Sequence, residues 1–311
     1  MTALAKAWDS PVRRWIVAAV ALAGAAWLIT RVLKGFSWPL FLAALRATPP
    51  WAIGAAVALT PVSYACLAVT EWFVLHSLGQ PLHWRRAGRV AFAAYAVSNS
   101  LGFSYATGAA VRLKLYGGFG LPAAAAARVM LVAGTAVTLA GVVTAGLGLL
   151  VQPATFAAAF HARAWMVTIS GAVLITPGLL WFAALRGRDP ARRVAAQGLG
   201  PRALALAAAI GDWATSGAAL YILLPKASLA GFGPFITVYV LGSLVSAATG
   251  VPGGVGVFEA VVLGLSTLMA RADETATALI LYRVIYSLGP LAVMGAALSL
   301  IGLMKRGRAS A

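Results

Sequence analysis

Charge is scarce in this chain. Only 10% of its 311 residues are Asp, Glu, Lys or Arg, and only seven of these are acidic. A soluble domain carries about 25% charged residues, so a water-soluble globular fold is excluded. Cysteine occurs once, at Cys66, so no intrachain disulfide can form and the redox compartment leaves no mark. The three histidines, His76, His83 and His161, are scattered and are expected in solvated loops. There is no HExxH, no GxSxG, no Walker loop and no Cys/His cluster. Metal, cofactor and covalent catalysis are therefore not expected, and neither is an enzyme. With no ATP-binding motif, any transport would be passive or driven by an ion gradient or potential. No stretch is long and polar enough for a separate soluble domain.

Hydrophobic residues make up 61% of the sequence, and the mean hydropathy is +0.90. Several runs exceed the ~20 apolar residues that a helix needs to cross a bilayer. The fold class is therefore an all-α polytopic membrane protein. Long apolar runs fall at 12–33, 51–76, 122–150, 164–185, 202–224 and 276–303. The first follows Arg13 and Arg14; it is as long as a spanning helix and reads as retained rather than as a cleaved signal peptide. Two further regions, 88–119 and 234–271, are apolar but interrupted. The second holds "TGVPGGVGVFE", a proline and four glycines followed by Glu259. An ordinary loop is the simpler reading of that stretch.

The net charge of +17 decides between the two readings. Basic residues collect in short cytoplasmic loops. If 88–119 crossed once, the basic loops at 83–89 and 186–193 would lie on opposite sides. If it dips in and returns, both lie with Lys6, Arg13 and Arg14. The same treatment of 234–271 brings Lys305, Arg306 and Arg308 to that side. The expectation is about six transmembrane helices plus two re-entrant hairpins, with both termini cytoplasmic. Hairpin tips are expected at Thr107 and Gly108, and at Pro252, Gly253, Gly254 and Gly256. No basic stretch with interleaved aromatics lies outside the membrane, so nucleic acid is not an expected partner. Anionic lipid is.

An internal repeat is also legible. "EW" at 71–72, "ATG" at 106–108 and "RV" at 128–129 recur as "DW" at 212–213, "ATG" at 248–250 and "RV" at 283–284. The chain then reads as one transmembrane domain, 1–311, with pseudo-repeats about 12–150 and 164–303. An odd number of crossings per half inverts the second copy, as in many transporters.

A few charges sit where lipid should be. Glu71, Asp212, Glu259, Arg112 and Arg283 lie within or beside apolar segments. A charge at the bilayer centre costs roughly 2.5–3.5 kcal/mol, so each needs a partner or water. Mutual pairing that only holds helices together is one reading; snorkelling is the bland reading for Lys114 and Arg128. Arg112 is followed by Lys114 and Tyr116, and Arg283 is flanked by Tyr282 and Tyr286. Arginine grips phosphate with a rigid fork of donors, and tyrosine adds a hydroxyl to an apolar body. Asn99 lies beside them in "SNSLGFSYATG". This set suits a lipid phosphate better than a metal.

The segments "NSLGFSYATGAAVRLKLYGGFGLP", "TGVPGGVGVFEAVVL" and "LYRVIYSLGPL" together resemble the lysylphosphatidylglycerol synthetase transmembrane family. That family includes the N-terminal flippase domain of the multiple peptide resistance factor and short inner-membrane relatives. The resemblance covers about residues 50–300 and implies a phospholipid flippase in the bacterial inner membrane. In the resistance factor a cytoplasmic synthase domain makes lysyl- or alanyl-phosphatidylglycerol. The transmembrane part moves that lipid to the outer leaflet and so blunts cationic antimicrobial peptides. Here the sequence ends at "MKRGRASA", so no synthase is expected in this chain. A separate synthase is an implied partner, and an oligomer is left open. On this reading Arg112 and Arg283 neutralise the phosphate, with Lys114 at the entrance. Glu259, with Asp212 or Glu71, attracts the amine of an aminoacyl headgroup. A non-transporting scaffold for a lipid-modifying enzyme, or transport of another lipid, is the alternative.

Overall fold

Lipid offers backbone groups no hydrogen-bond partner, so apolar segments satisfy their own N–H and C=O groups as helices. The computed structural model describes residues 38–101, 104–184, 199–225, 227–249, 256–266 and 272–297, and every element among them is helical. The chain divides into two units, residues 1–42 and 43–311; of the first, only 38–42 are described. The helices are α1 (Trp38–Ala47), α2 (Pro50–Ser77), α3 (Trp84–Leu101), α4 (Ser104–Gly118), α5 (Ala123–Val151) and α6 (Pro153–Ala159). They continue as α7 (Ala164–Ala184), α8 (Leu199–Tyr221), α9 (Leu229–Thr249), α10 (Val257–Ser266) and α11 (Ala272–Tyr282). A π-helical turn, Arg283–Leu288, extends α11, and helix continues to residue 297.

Among the described residues, four helices are long and apolar enough to cross a membrane: Pro50–Ser77, Ala123–Val151, Leu229–Thr249 and Thr275–Ala297. The α6–α7 pair, bent by 110°, gives a fifth if it is one span. The expected count of six is therefore not reproduced. The 12–33 run lies outside the described residues. α8 has 23 residues but carries Asp212 and falls outside this set. α9, expected as a descending limb, has 21 residues and reaches about 31 Å, a full hydrocarbon core.

Both interrupted regions fold back on themselves. α3 packs on α4, and Gly108 of α4 faces Ala94 and Ser98 of α3. α9 packs on α10, with Gly242 against Phe258, Val261 and Val262. The element order helix, hairpin, helix thus occurs twice: α2, α3–α4, α5, and then α8, α9–α10, α11. The "ATG" triplets do not occupy matching places. Thr107 and Gly108 lie in the second turn of the returning helix α4, while Ala248 and Thr249 end the descending helix α9.

α2 packs most extensively on α8, and α5 touches α2, α4, α7, α8 and α9. The buried face of α5 is small: Ala126, Val129, Ala133, Ala136 and Ala140 recur at helical spacing. Small residues let backbones approach closely, where helices in lipid gain most from dispersion. Large apolar side chains such as Trp51, Leu131, Val173 and Leu180 face outward, as they do where the surrounding solvent is lipid. Tyr116, Val90, Val129 and Leu75 close a core beneath the first hairpin.

Candidate functional site

Three polar clusters are built into this apolar bundle. The first joins α2, α3 and α4. Arg112 donates to Glu71 twice, Nε to Oε1 at 2.9 Å and Nη2 to Oε2 at 2.7 Å. The Tyr116 hydroxyl donates to Oε1 at 2.6 Å. The Arg112 guanidinium lies 4.6 Å from the centre of the Tyr95 ring. The pair is sealed, with side-chain exposures of 5% and 0%. Helical spacing explains the grouping. Arg112 and Tyr116 are four apart and share a face. Lys114, between them, is exposed on another face and does not join the cluster. Gly108 is closely enclosed here: a Cβ would meet Ser98 Oγ at 2.6 Å and Arg112 Nη1 at 2.9 Å, so one of these side chains would have to move.

The second cluster centres on Asp212 of α8. The Ser63 hydroxyl of α2 donates to Asp212 Oδ1 at 2.5 Å and lies 2.8 Å from the Tyr286 hydroxyl. Tyr64 donates to the Tyr286 carbonyl at 3.3 Å, and Asn99 Nδ2 donates to the Tyr64 hydroxyl at 3.4 Å. Tyr282 and Tyr286 stack with ring centres 5.0 Å apart, and the Tyr239 and Tyr282 hydroxyls meet at 2.7 Å. Asp212 is buried, and among the described residues it makes no ion pair.

The third cluster sits at the second hairpin. Glu259 pairs with Arg283, and both side chains stay partly open at 21% and 26%. Glu259 is the third residue of α10. Its Oε2 accepts the Gly256 backbone N–H at 2.8 Å, which is half of a capping box. Gly256 has φ +88, a conformation that costs glycine little and other residues much. The N–H at the start of α10 is therefore held by Glu259. Arg283 opens the π turn; single π turns inside α-helices occur often at functional sites.

The sequence-derived set thus separates. Glu71, Arg112 and Tyr116 meet at one place, Asp212, Tyr282, Tyr286 and Asn99 at a second, and Glu259 and Arg283 at a third. The equal roles expected for the two arginines are not matched by equal settings. Thr107 and Gly108 are helical rather than at a tip, because α4 already begins at Ser104. Pro252, Gly253 and Gly254 lie outside the described residues. His76, expected in a loop, is in the last turn of α2, its Nδ1 2.9 Å from the Trp72 carbonyl oxygen.

Ser63, Tyr64, Tyr95 and Tyr239 were not expected at a site. A signal existed in α2: Thr60, Ser63, Tyr64, Thr70 and Glu71 recur at three, four and seven, marking one polar stripe on an apolar helix. Ser63 lies eight residues before Glu71, about 12 Å along the axis. α2 therefore carries the first two clusters at different depths.

Membrane-length helices with paired charges and a hydroxyl network inside them define a multi-pass helical membrane protein. Residues 15–293 match the family described as the lysylphosphatidylglycerol synthase TM region, and the chain belongs to that family. It is 28% identical over 292 residues to an uncharacterised protein of Synechocystis sp., an alignment spanning 90% of this chain and 88% of that one.

Proposed function

We propose that the protein moves a phospholipid between leaflets, with its headgroup passing the polar clusters while the acyl chains stay in lipid. The observation that carries this reading is the partly open Glu259–Arg283 pair, set one turn from the hydroxyl network of Tyr286, Ser63 and Asp212. A phosphate entering there replaces Glu259 on the Arg283 fork. The released Glu259 is then free to receive the amine of an aminoacylated headgroup. The substrate is thus an anionic or aminoacylated phospholipid of the lysyl- or alanyl-phosphatidylglycerol type. It moves from the inner to the outer leaflet of a bacterial inner membrane, which lowers sensitivity to cationic peptides. Family membership supports the same reading.

On this reading the protein is a transporter and not an enzyme, its two hairpins are re-entrant, and both termini are cytoplasmic. The sealed Glu71–Arg112 pair holds the first hairpin in place and does not touch the lipid. The test is leaflet exchange of labelled lipids in proteoliposomes, with phosphatidylglycerol, its lysyl and alanyl esters, and a zwitterionic lipid compared. Exchange of the first three above the rate of empty liposomes is expected. A rate equal to empty liposomes for every headgroup would overturn the proposal and favour a scaffold.

A further inference from the structure

We propose that Asp212 is a proton-binding site that couples lipid movement to a transmembrane pH difference; the coupling rests on the translocation reading above. Five carboxylates stand on the described helices; Asp273 and Glu274 lie in the first turn of α11, and of the other three, two are committed. Glu71 is bound through both oxygens by Arg112 and again by Tyr116. Glu259 holds Arg283 and the Gly256 N–H. Asp212 differs. Its surroundings are hydroxyls, rings and one thiol: Ser63, Tyr64 and Cys66 on α2, Tyr95 on α3, Tyr239 on α9, and Tyr282 and Tyr286 on α11 with its π turn. Each of these is neutral near pH 7 in its ordinary form. Among the described residues, no lysine or arginine pairs with Asp212. A buried carboxylate without a counter-ion keeps its place by taking up a proton, which removes the charge.

The geometry also gives the proton a route and a consequence. Tyr286 lies within hydrogen-bond distance of Ser63, which bonds Asp212. Tyr286 belongs to the same π turn as Arg283, whose pair with Glu259 is partly open. A proton entering from water on one side adds to a carboxylate oxygen of Asp212 and gives the neutral acid. Release to the other side restores the carboxylate. While Asp212 is ionised, its charge opposes a lipid phosphate at Arg283, which lies one turn from the Tyr286 that Ser63 links to Asp212. Once it is neutral, the phosphate is admitted. Protonation therefore precedes loading, and one proton accompanies one lipid.

Two measurements decide the matter. The first needs no transport: infrared difference spectra of the purified protein across a pH titration. A carboxyl band that titrates in the wild type and is lost in Asp212→Asn is expected. Ser63→Ala, which keeps the carboxyl but removes its donor, is expected to move the midpoint. No band lost in Asp212→Asn would overturn the site. The second is lipid distribution in proteoliposomes under an imposed pH difference. With one proton per lipid, one pH unit shifts the leaflet ratio about tenfold, and Asp212→Asn abolishes the shift. Wild-type exchange that ignores the pH difference, or follows a sodium gradient instead, would overturn the coupling. No wild-type exchange at all would overturn the translocation reading, while the infrared result still decides whether Asp212 titrates.

Discussion

At each of the two hairpins an arginine meets a glutamate, and the two pairs are set in opposite ways. In the first, Arg112 and Glu71 are joined by two hydrogen bonds, reinforced by Tyr116 and closed to solvent. In the second, Arg283 and Glu259 are partly exposed, and Glu259 also caps α10. A fully made, sealed pair has no free donor for a ligand. Breaking it strands a charge in a medium that cannot solvate it. A half-open pair can exchange its carboxylate for a phosphate at lower cost. On the proposed translocation reading, the contrast gives the first hairpin an architectural role and the second a binding role, although composition alone makes them look alike.

The contrast can be broken most sharply at Arg112. Replacing it by alanine leaves Glu71 buried and uncompensated, an expected loss of about 3–5 kcal/mol. This would be read as a large drop in thermal stability of the purified protein. Adding Glu71→Ala should recover part of that loss; no recovery would show that Arg112 acts through something other than the pair. Tyr116→Phe removes one hydrogen bond to a charged oxygen and should cost about 1.5–3 kcal/mol in the same measurement. Gly108→Ala pushes a methyl towards Ser98 and Arg112, with an expected cost of roughly 1–3 kcal/mol as in other overpacked sites. Arg283→Ala should cost less than Arg112→Ala, because Glu259 keeps its bond to the Gly256 N–H and is not sealed. Lys114→Ala, exposed and outside the cluster, should fall within about 0.5 kcal/mol of wild type.

The sequence made the helical class legible because hydropathy reports directly on burial in lipid. Residues such as Glu71, Asp212 and Glu259 were legible as sites because charges stand out in apolar runs. Their partners were not. Arg112 to Glu71 spans 41 positions and Ser63 to Asp212 spans 149, so only the packing of α2 against α3 and α8, with α4 folded on α3, brings them together. Lys114 is two residues from Arg112, and the helical period turns it to another, exposed face. That 88–119 and 234–271 are interrupted was legible from their glycines and polar residues, but the start of α4 at Ser104, ahead of Thr107, was not. The "ATG" triplet promised a register that the two hairpins do not share.

Leaflet exchange of labelled lysyl-phosphatidylglycerol by Arg283→Ala proteoliposomes, with thermal unfolding measured on the same preparation, tests the central claim most directly. The binding role of the open pair requires exchange to fall to the rate of empty liposomes while the unfolding temperature stays near wild type. Wild-type exchange by a stably folded Arg283→Ala protein would contradict it.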